Sequence, residues 1–343
     1  MKILIVKIGA IGDVVMALPT LTYIRKQYPT AKIYWIAGEI VKDLIEETKL
    51  VDEVVTVNEK KLLKGSILER IAEIWKVWRQ IGFIRFDVTL YYYYSGAYKI
   101  LFLPTSSKKF LEFSRDKQKR ANPVPGRHHT CAYISTFSEE NGSHTIDFEY
   151  PPFPIFRSEH QALKEKFRDK KCIILSCGGA KNILREDDLR RWPIDRYVAL
   201  TKLLIADGYE VFLSGSQSDL WISEHFSDLK VHDFISKFDL ISFISFLKTG
   251  DLFITHDSGP LHLADLAGVP SIALFGPTPP SSFKSLLPDS TFIWGGENLT
   301  CRPCYDGKSY ANCSKALCME SISVIQVYEL VKKKLTEKKI GSI

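Results

Sequence analysis

The sequence contains no long apolar run. Nowhere in its 343 residues is there the stretch of about 20 apolar residues that a helix needs to cross a bilayer. The apolar core of residues 1–7 is too short for a secretory signal peptide. These two absences predict a cytoplasmic protein, in which cysteines stay reduced.

The sequence also lacks an excess of charge of one sign. Its 46 lysines and arginines stand against 40 acidic residues, and the net charge of +6 is too small to indicate a nucleic-acid-binding protein. Apolar residues make up 45% of the chain and charged residues 25%, as in ordinary soluble proteins. The length allows about two domains.

Apolar runs rich in β-branched residues alternate with helical patterns along the chain. This alternation predicts parallel sheets covered by helices, the α/β class. The pattern restarts after the proline-rich residues 151–154, which indicates a boundary between two doubly wound domains. Such domains bind ligands at the carboxyl ends of their strands, here in a cleft between the two. The predicted strands are residues 2–8, 32–37, 54–57, 87–92, 172–176, 210–213, 252–255 and 271–275.

Helical patterns follow several of these strands. The first runs to about Tyr28, and Pro19 should kink or restart it because proline has no N–H to donate. Further helices are predicted at residues 194–207 and 323–335. Residues 68–80 are amphipathic, and the side that we expect in the core carries Ile71, Ile74, Trp75 and Trp78.

The most informative segment is residues 254–262, Ile-Thr-His-Asp-Ser-Gly-Pro-Leu-His. A strand ends here, and a helix starts whose first turn holds Gly259 and Pro260. A helix N-terminus presents unpaired N–H groups and a partial positive charge, and the hydroxyl of Ser258 adds a donor. The segment therefore predicts a site for a phosphorylated ligand.

Two other interpretations of this segment are disfavoured. The three residues of a hydrolase triad come from separate parts of a fold, whereas Asp257, Ser258 and His262 lie in one short segment. Zinc binding by His256 and His262 is disfavoured because they are six positions apart, not the four that place two histidines on one helix face.

The loop at residues 9–13 carries two glycines and an aspartate. Gly9 and Gly12 allow a ligand to approach the backbone closely. Asp13 either caps the helix that follows or serves as a general base. The spacing alone does not decide between these two roles.

Two loops of the second half carry similar signals. Gly178 and Gly179 expose backbone N–H groups, and Arg190 is placed to close over a phosphate, unless this loop is mobile and its charges are solvated. Residues 215–219 either bind a ribose or cap the next helix, and we favour capping.

Four of the seven cysteines lie close together in sequence. Four thiolates suit a tetrahedral structural zinc or iron site. The spacing includes one tight pair, so reduced thiols or a disulfide fit equally well. The four residues are Cys301, Cys304, Cys313 and Cys318.

Taken together, these motifs resemble glycosyltransferase family 9, the ADP-heptose:lipopolysaccharide heptosyltransferases and their relatives. The resemblance implies a GT-B fold of two Rossmann-like domains facing a central cleft. Residues 1–153 would bind the acceptor, residues 154–322 would bind the nucleotide-sugar, and a helix within residues 323–343 would cross back onto the first domain. The matching segments are residues 5–7, 12–15, 18–19, 190–193, 256–264, 268–270 and 275–278.

The resemblance also implies an inverting glycosyl transfer that requires no metal for its chemistry. Asp13 matches the catalytic base of the family. Ser258 and Gly259 match the residues that hold the diphosphate, and Asp257 and His262 match further donor-site residues. The resemblance makes ADP-heptose the favoured donor. Arg190 stands where the family usually has a lysine, and this departure keeps another nucleotide-sugar as the alternative. A catalytically silent nucleotide-sugar-binding protein is a third possibility.

Two groups of basic residues bear on the acceptor, which the resemblance implies is a lipopolysaccharide core or a related lipid-linked surface glycan. A basic loop in the first domain fits an anionic acceptor, unless its charges are solvated. The lysines of the last helix would allow contact with an anionic membrane, at the inner face of the inner membrane. The loop residues are Lys108, Lys109, Arg115, Lys117, Lys119, Arg120 and Arg127, and the helix residues are Lys332, Lys333, Lys334, Lys338 and Lys339.

Overall fold

The computed structural model describes residues 1–113, 126–138, 146–180, 186–305 and 313–340, with side chains up to residue 336. The chain divides into two compact units, Met1–Phe153 and Pro154–Ile343. Of the predicted basic residues, Arg115, Lys117, Lys119 and Arg120 and the side chains of Lys338 and Lys339 lie outside this description. Among the described residues, no helix combines the length and apolarity needed to cross a bilayer.

The first unit is built on a parallel sheet. Its described strands are β1 (Lys2–Val6), β2 (Lys32–Gly38), β3 (Glu53–Val57), β4 (Arg85–Tyr91) and β5 (Ser106–Glu112). Its helices are α1 (Ile11–Ala17), α2 (Pro19–Gln27), α3 (Lys42–Glu47), α4 (Glu59–Lys64), α5 (Ile67–Ile81) and α6 (His129–Ser138), with 3-10 turns at Glu39–Val41 and Lys99–Phe102. The strand order is β3-β2-β1-β4-β5, so the direction of winding reverses between β1 and β4.

The second unit has a parallel sheet of the same kind. Its described strands are β6 (Cys172–Ser176), β7 (Glu210–Ser214), β8 (His232–Asp233), β9 (Leu252–His256), β10 (Ser271–Phe275) and β11 (Thr291–Trp294). Its helices are α7 (Ser158–Lys166), α8 (Ile194–Ala206), α9 (Leu240–Leu247), α10 (Gly259–Ala267), α11 (Pro280–Phe283), α12 (Leu317–Glu320) and α13 (Val324–Ile340), with 3-10 segments at Asp188–Arg190 and Gln217–Phe226. The strand order is β11-β10-β9-β6-β7-β8, and the winding reverses between β6 and β9.

The central strands are buried on both faces, as parallel strands covered by helices must be. Residues 3–6 of β1 and all of β6 are buried. Val6 lies opposite Ile36 of β2 and Tyr91 of β4. These apolar runs are the strongest strand signals in the sequence, and every predicted strand is confirmed to within two residues at each end.

The last helix packs into the core of its own unit. Val327, Val331 and Leu335 of α13 belong to the same buried cluster as Leu200 of α8. The hydroxyl of Tyr328 donates a 2.6 Å hydrogen bond to the carboxylate of Asp207. The crossing of this segment onto the first domain stays a prediction.

The helix predicted to end at Tyr28 restarts as expected, because Pro19 is the first residue of α2. Strand β5 was not predicted, and Lys108 and Lys109 lie on it rather than in a loop. This strand is at the edge of the sheet and mostly exposed, so it lacks the continuous apolar run of a central strand.

The predicted core side of α5 is wrong for two of its residues. Ile71 and Trp75 are each 58% exposed, whereas the buried residues of the helix are Glu73, Val77 and Ile81. The helix has apolar side chains on two sides. The periodicity does not reveal which of the two sides packs on the sheet.

Candidate active site

Both units place candidate site residues where the strand order reverses. At such a point the loops after two neighbouring strands leave in opposite directions and open a crevice at the carboxyl ends of the strands. In the first unit these loops follow β1 and β4, and in the second they follow β6 and β9. Three of these four loops, or the helix starts that follow them, carry predicted site residues. These are Asp13 after β1, Gly178 and Gly179 after β6, and Asp257 and Ser258 after β9.

Asp13 lies in the first turn of α1 and pairs with a buried lysine. The Nζ of Lys7 is 3.1 Å from Oδ2 of Asp13, and the two side chains are 6% and 34% exposed, respectively. Lys7 directly follows β1, so the end of a central strand fixes its backbone. The carboxylate is therefore held by a cation from inside the unit while part of it stays open to solvent.

Two tyrosines enclose this ion pair. The Nζ of Lys7 lies 4.6 Å from the ring centre of Tyr93 and 5.7 Å from that of Tyr133, within the range of cation–π attraction. Burial raises the pKa of Tyr133 well above its usual value, and the charge of Asp13 and a hydrogen bond to its side chain raise it further. The hydroxyl of Tyr133 therefore stays protonated and serves as a donor to the carboxylate.

Tyr93 also fixes the loop that leads to Asp13. Its hydroxyl accepts hydrogen bonds from the N–H of Ile8 (2.8 Å) and of Gly9 (3.3 Å). Of the four tyrosines at the end of β4, Tyr91 and Tyr92 are buried and Tyr94 is exposed.

The structure excludes the capping role for Asp13. The N-cap of α1 is Ala10, and the helix start has no side-chain cap. Asp13 is the third residue of the helix, where its carboxylate faces Lys7 and Tyr133. A carboxylate with donors on one side and solvent on the other is arranged to accept a proton from a bound hydroxyl.

In the second unit, the glycine loop after β6 is fixed by an aspartate. The N–H of Gly179 donates a 2.9 Å hydrogen bond to Oδ1 of Asp219. A Cβ on Gly178 would lie 2.2 Å from the same oxygen, so this position accepts only glycine without a shift of the loop. Ser216 and Asp219 also form a capping box, which confirms the capping predicted for residues 215–219.

Arginines hold the other side of this loop. Arg191 donates two hydrogen bonds to the carbonyl of Gly179, from Nε at 3.0 Å and from Nη2 at 2.7 Å. Arg190 is largely buried and lies between two carboxylates, Asp257 at 3.3 Å and Asp187 at 3.8 Å. The sequence pointed to Arg190, and the role of its neighbour in ordering the loop was missed.

The start of α10 lies beside the glycine loop. A Cβ on Gly179 would be 3.7 Å from Oγ of Ser258, which is the N-cap residue of α10. Asp257, Ser258 and His262 are buried, whereas Gly259 at the start of the helix is partly exposed. The start of α10 presents its backbone N–H groups beside the glycine loop, an arrangement suited to a phosphate, although the N–H of Gly179 itself is engaged by Asp219.

Two hydroxyls fix this helix start. Thr278 donates a 2.6 Å hydrogen bond to Oδ2 of Asp257, which also pairs with Arg190. Ser258 donates from Oγ to the carbonyl of His256 at 3.2 Å. A hydroxyl that donates to a carbonyl is not giving its proton to a general base, so the geometry does not favour a serine nucleophile.

His256, at the end of β9, is fully buried under these groups. Burial, together with the charges of Arg190 and Arg191, lowers the pKa of His256 to about 3. Its ring lies next to the backbone of Gly178, but neither ring nitrogen makes a well-aligned hydrogen bond with any residue that the structure describes. The imidazole is therefore neutral over the physiological pH range.

The cysteine cluster is only partly described, since residues 306–312 lie outside the described residues. Burial raises the pKa of the Cys318 thiol, and the neighbouring Cys304 and Cys313 raise it further. Within the described part of the chain, no three histidine, cysteine or acidic side chains gather as a metal site, at Cys301 or elsewhere.

Three residues of the two sites carried little signal in the sequence. Lys7 lies in a segment that matches the family, but the sequence alone does not show that it pairs with Asp13. Asp219 was predicted only as part of a helix cap, because the glycine loop that it binds follows a different strand. Tyr133 lies 120 positions from Asp13, and nothing in its surroundings distinguishes it from a core tyrosine.

Comparison with known proteins identifies the family. The sequence pattern of glycosyltransferase family 9 (heptosyltransferase) matches residues 99–314, which is more than half of the chain. The chain belongs to glycosyltransferase family 9. As a member of this family it is a glycosyltransferase, and the predicted resemblance is confirmed.

Several relatives of this family 9 enzyme match it along nearly its whole length. Lipopolysaccharide heptosyltransferase 1 of Campylobacter coli is 23% identical, over 97% of this chain and 98% of its own. The crystal structure of a family 9 glycosyl transferase from Veillonella parvula superposes with a TM-score of 0.74 at 19% identity, covering 98% of this chain and 97% of that one. The E. coli ADP-heptose lipopolysaccharide heptosyltransferase II gives a TM-score of 0.74 at 18% identity, covering 99% and 100%. These structures confirm the predicted GT-B fold class.

Proposed function

We propose that this family 9 enzyme transfers heptose from ADP-heptose, with inversion at the anomeric carbon, to a lipopolysaccharide-core or related surface-glycan acceptor. The names of its relatives support the choice of sugar and acceptor. The observation that carries the proposal is the carboxylate of Asp13, held at 3.1 Å by Lys7 beside a strand-order reversal and partly open to solvent.

In this proposal Asp13 is the general base. It takes the proton of the acceptor hydroxyl as that oxygen attacks the anomeric carbon and the bond to the diphosphate breaks. Lys7 and Tyr133 act as positioning residues, because they contact the carboxylate and leave its exposed part for the acceptor. An ionised base is needed before the reaction, and the ammonium of Lys7 favours the ionised form.

The leaving ADP carries the developing negative charge. We propose that its diphosphate lies against Ser258 and Gly259 at the start of α10, beside the backbone of Gly178 and Gly179. Arg190 would supply a full positive charge after exchanging part of its pairing with Asp257 for the phosphate. His262, buried in the first turn of α10, would complete the donor site.

We propose that no metal or organic cofactor takes part in this transfer, because Arg190 and the helix start neutralise the leaving group. Chelation by EDTA is expected to leave the rate unchanged, and a loss restored by added Mg²⁺ would contradict this. The structural zinc or iron predicted at Cys301, Cys304, Cys313 and Cys318 stays a prediction and has no part in this mechanism.

We assign acceptor binding to residues 1–153 and donor binding to residues 154–322, with the last helix reaching back to the first domain, as the family resemblance implies. A lipid-linked acceptor would bring the enzyme to the inner face of an anionic membrane, without nucleic acid as a partner. Among the tail lysines, Lys332 and Lys333 are exposed.

Donor binding is tested by thermal stabilisation. A ligand that binds the native state raises the melting temperature, by an amount that grows with its concentration relative to Kd. We expect ADP-heptose to stabilise the protein more than ADP, UDP-glucose or GDP-mannose. Stronger stabilisation by another nucleotide-sugar would identify that compound as the donor and leave the proposed enzyme class unchanged.

Transfer is tested by incubating the donor with a heptose-free lipopolysaccharide core. We expect an anomeric configuration opposite to that of the donor, read by the NMR coupling of the new linkage. Donor binding with neither transfer nor slow donor hydrolysis would instead identify a silent nucleotide-sugar-binding protein.

A further inference from the structure

Helix α5 exposes an apolar side that none of the roles above uses. Ile67 is 76% and Leu68 79% exposed, and Ile71 and Trp75 follow on the same side of the helix at the three-to-four-residue spacing. Soluble proteins rarely expose contiguous apolar surface of this kind without a binding role.

The apolar surface extends beyond the helix. The ring of Trp75 packs edge-on against Trp78 at 6.4 Å, and Nε1 of Trp78 donates a 2.7 Å hydrogen bond to the carbonyl of Ile100. Ile100 and Leu103 are themselves exposed. We call the resulting surface the α5 outer face, defined by Ile67, Leu68, Ile71, Trp75, Ile100 and Leu103.

Positive charge accompanies the α5 outer face. Residues 59–103 contain eight lysines and arginines, at positions 60, 61, 64, 70, 76, 79, 85 and 99, and four acids, at 59, 69, 73 and 87. The four acids are engaged locally: Glu69 accepts from the N-cap residue of α5, Glu73 is buried against Lys76, Glu59 accepts from Tyr98, and Asp87 pairs with Lys108. Exposed cations stand on α4 and on α5, at Lys60, Lys61, Lys64, Arg70 and Arg79.

From these observations we propose that the α5 outer face inserts into the surface of an anionic lipid bilayer. A helix with isoleucine, leucine and tryptophan on one side and basic residues around it is the arrangement that lies in a membrane interface. Tryptophan is favoured at the level of the headgroups. The anionic headgroups complement the exposed lysines and arginines.

The charge and shape of this face disfavour other occupants. In a symmetric dimer the same surface would meet itself, so the cations of α4 and α5 would face one another. A partner helix docks into an apolar groove, whereas side chains that are mostly exposed protrude. A lipid surface accepts protruding side chains without needing a matching shape.

The α5 outer face would be a membrane-binding surface in addition to the proposed active site. Its proposed role rests on the proposed function only because the membrane would carry the acceptor. It differs from contact through the tail lysines, which are in the other unit. Binding to lipid is measured without turnover, so its failure and a failure of the catalytic proposal are distinguishable. An Asp13→Asn protein is expected to bind vesicles as the original protein does.

The test is cosedimentation with phosphatidylcholine vesicles, with or without phosphatidylglycerol. We expect binding to the anionic vesicles that weakens at high salt. The Ile71→Ser/Trp75→Ser protein should bind at least roughly tenfold more weakly, because two inserted apolar side chains are lost. Ile325→Ser is the matched control, since Ile325 is also 58% exposed but lies on α13, and it should bind normally.

Unchanged melting temperatures would show that the exposed substitutions leave the fold intact. The proposal is overturned if the protein does not bind anionic vesicles, or if Ile325→Ser weakens binding as much as Ile71→Ser/Trp75→Ser. It is also overturned if Lys332→Glu/Lys333→Glu alone abolishes binding. Sedimentation that shows a dimer dissociated by Ile71→Ser, with vesicle binding unaffected, would assign the face to self-association instead.

Discussion

The sites of the two units occupy equivalent places, after the strands that flank a reversal of strand order, but they are built from different groups. In the first unit, charged and aromatic side chains form the site: Lys7, Asp13, Tyr93 and Tyr133. In the second unit, the backbone of Gly178 and Gly179 and the start of α10 form it, and side chains such as Asp219 and Arg191 hold that backbone in place.

This difference follows from what each site has to do. A base must change its protonation, so its neighbours have to control charge at one side chain. A diphosphate needs several donors at fixed positions, and backbone N–H groups supply them when the loop is rigid. Substitutions in the first unit should therefore change the chemical step, and substitutions in the second should change donor affinity.

The largest effect is expected for Asp13→Asn. The amide keeps the shape of the side chain but cannot accept the proton, so kcat should fall by roughly 10²–10⁴-fold. Stabilisation by the donor should be unchanged. Asp43→Asn, an exposed aspartate of α3, is the control. Turnover preserved in a folded Asp13→Asn protein would remove this residue as the base.

A smaller effect on the same step is expected for Lys7→Met. Without the ammonium the carboxylate of Asp13 is protonated more readily, so the acid limb of the pH–rate profile should move to higher pH. On this limb a shift of about one pH unit lowers the rate at a fixed pH by roughly tenfold, whereas on the plateau at higher pH the rate should change little.

Lys7→Arg keeps the charge and should restore most of the profile. Because Lys7 is buried, Tyr133→Phe provides a second variant, which removes one hydroxyl and leaves the ring in place. A profile that stays where it was, with only the melting temperature lowered, would assign these two residues a purely structural role.

The third prediction concerns the rigid loop of the second unit. In Gly178→Ala the new Cβ would meet Oδ1 of Asp219 at 2.2 Å, so the loop must shift. We expect donor affinity to fall by roughly tenfold, within the 1–3 kcal/mol that overpacking costs, while the pH–rate profile keeps its shape.

Gly96→Ala is the matched control for this loop variant, because its nearest neighbour to a Cβ is 3.9 Å away. The proposed division of roles between the two units is contradicted if Gly178→Ala binds the donor normally. It is also contradicted if Gly178→Ala alters the pH–rate profile as Lys7→Met does.

Much of this organisation could be predicted from the sequence, because apolar runs dictate the buried strands. The segments at 172–176 and 271–275 have the same bounds in the structure. The exposed β5 and the outward position of Trp75 could not be predicted, because local periodicity does not report which side meets the core. Partners from distant positions, such as Tyr133 beside Asp13, depend on the assembled sheet.

The last prediction concerns stability rather than activity, for His256→Asn in acid. Burial and two arginines lower the pKa of His256 to about 3, from its ordinary value of about 6.5, so the folded protein binds fewer protons than the unfolded chain between these values. The free energy of unfolding should therefore fall as the pH decreases below about 6.5, and this residue should account for up to about 2 kcal/mol of the fall between pH 7 and pH 5.

Asparagine does not titrate, so the difference in unfolding free energy between the original protein and His256→Asn should shrink at pH 5. Urea unfolding at the two pH values measures it, and His225→Asn, an exposed histidine, should lack the effect. A difference that stays constant with pH would mean that His256 is hydrated enough to take up a proton. The space beneath the glycine loop would then be more open than the rigid donor site requires.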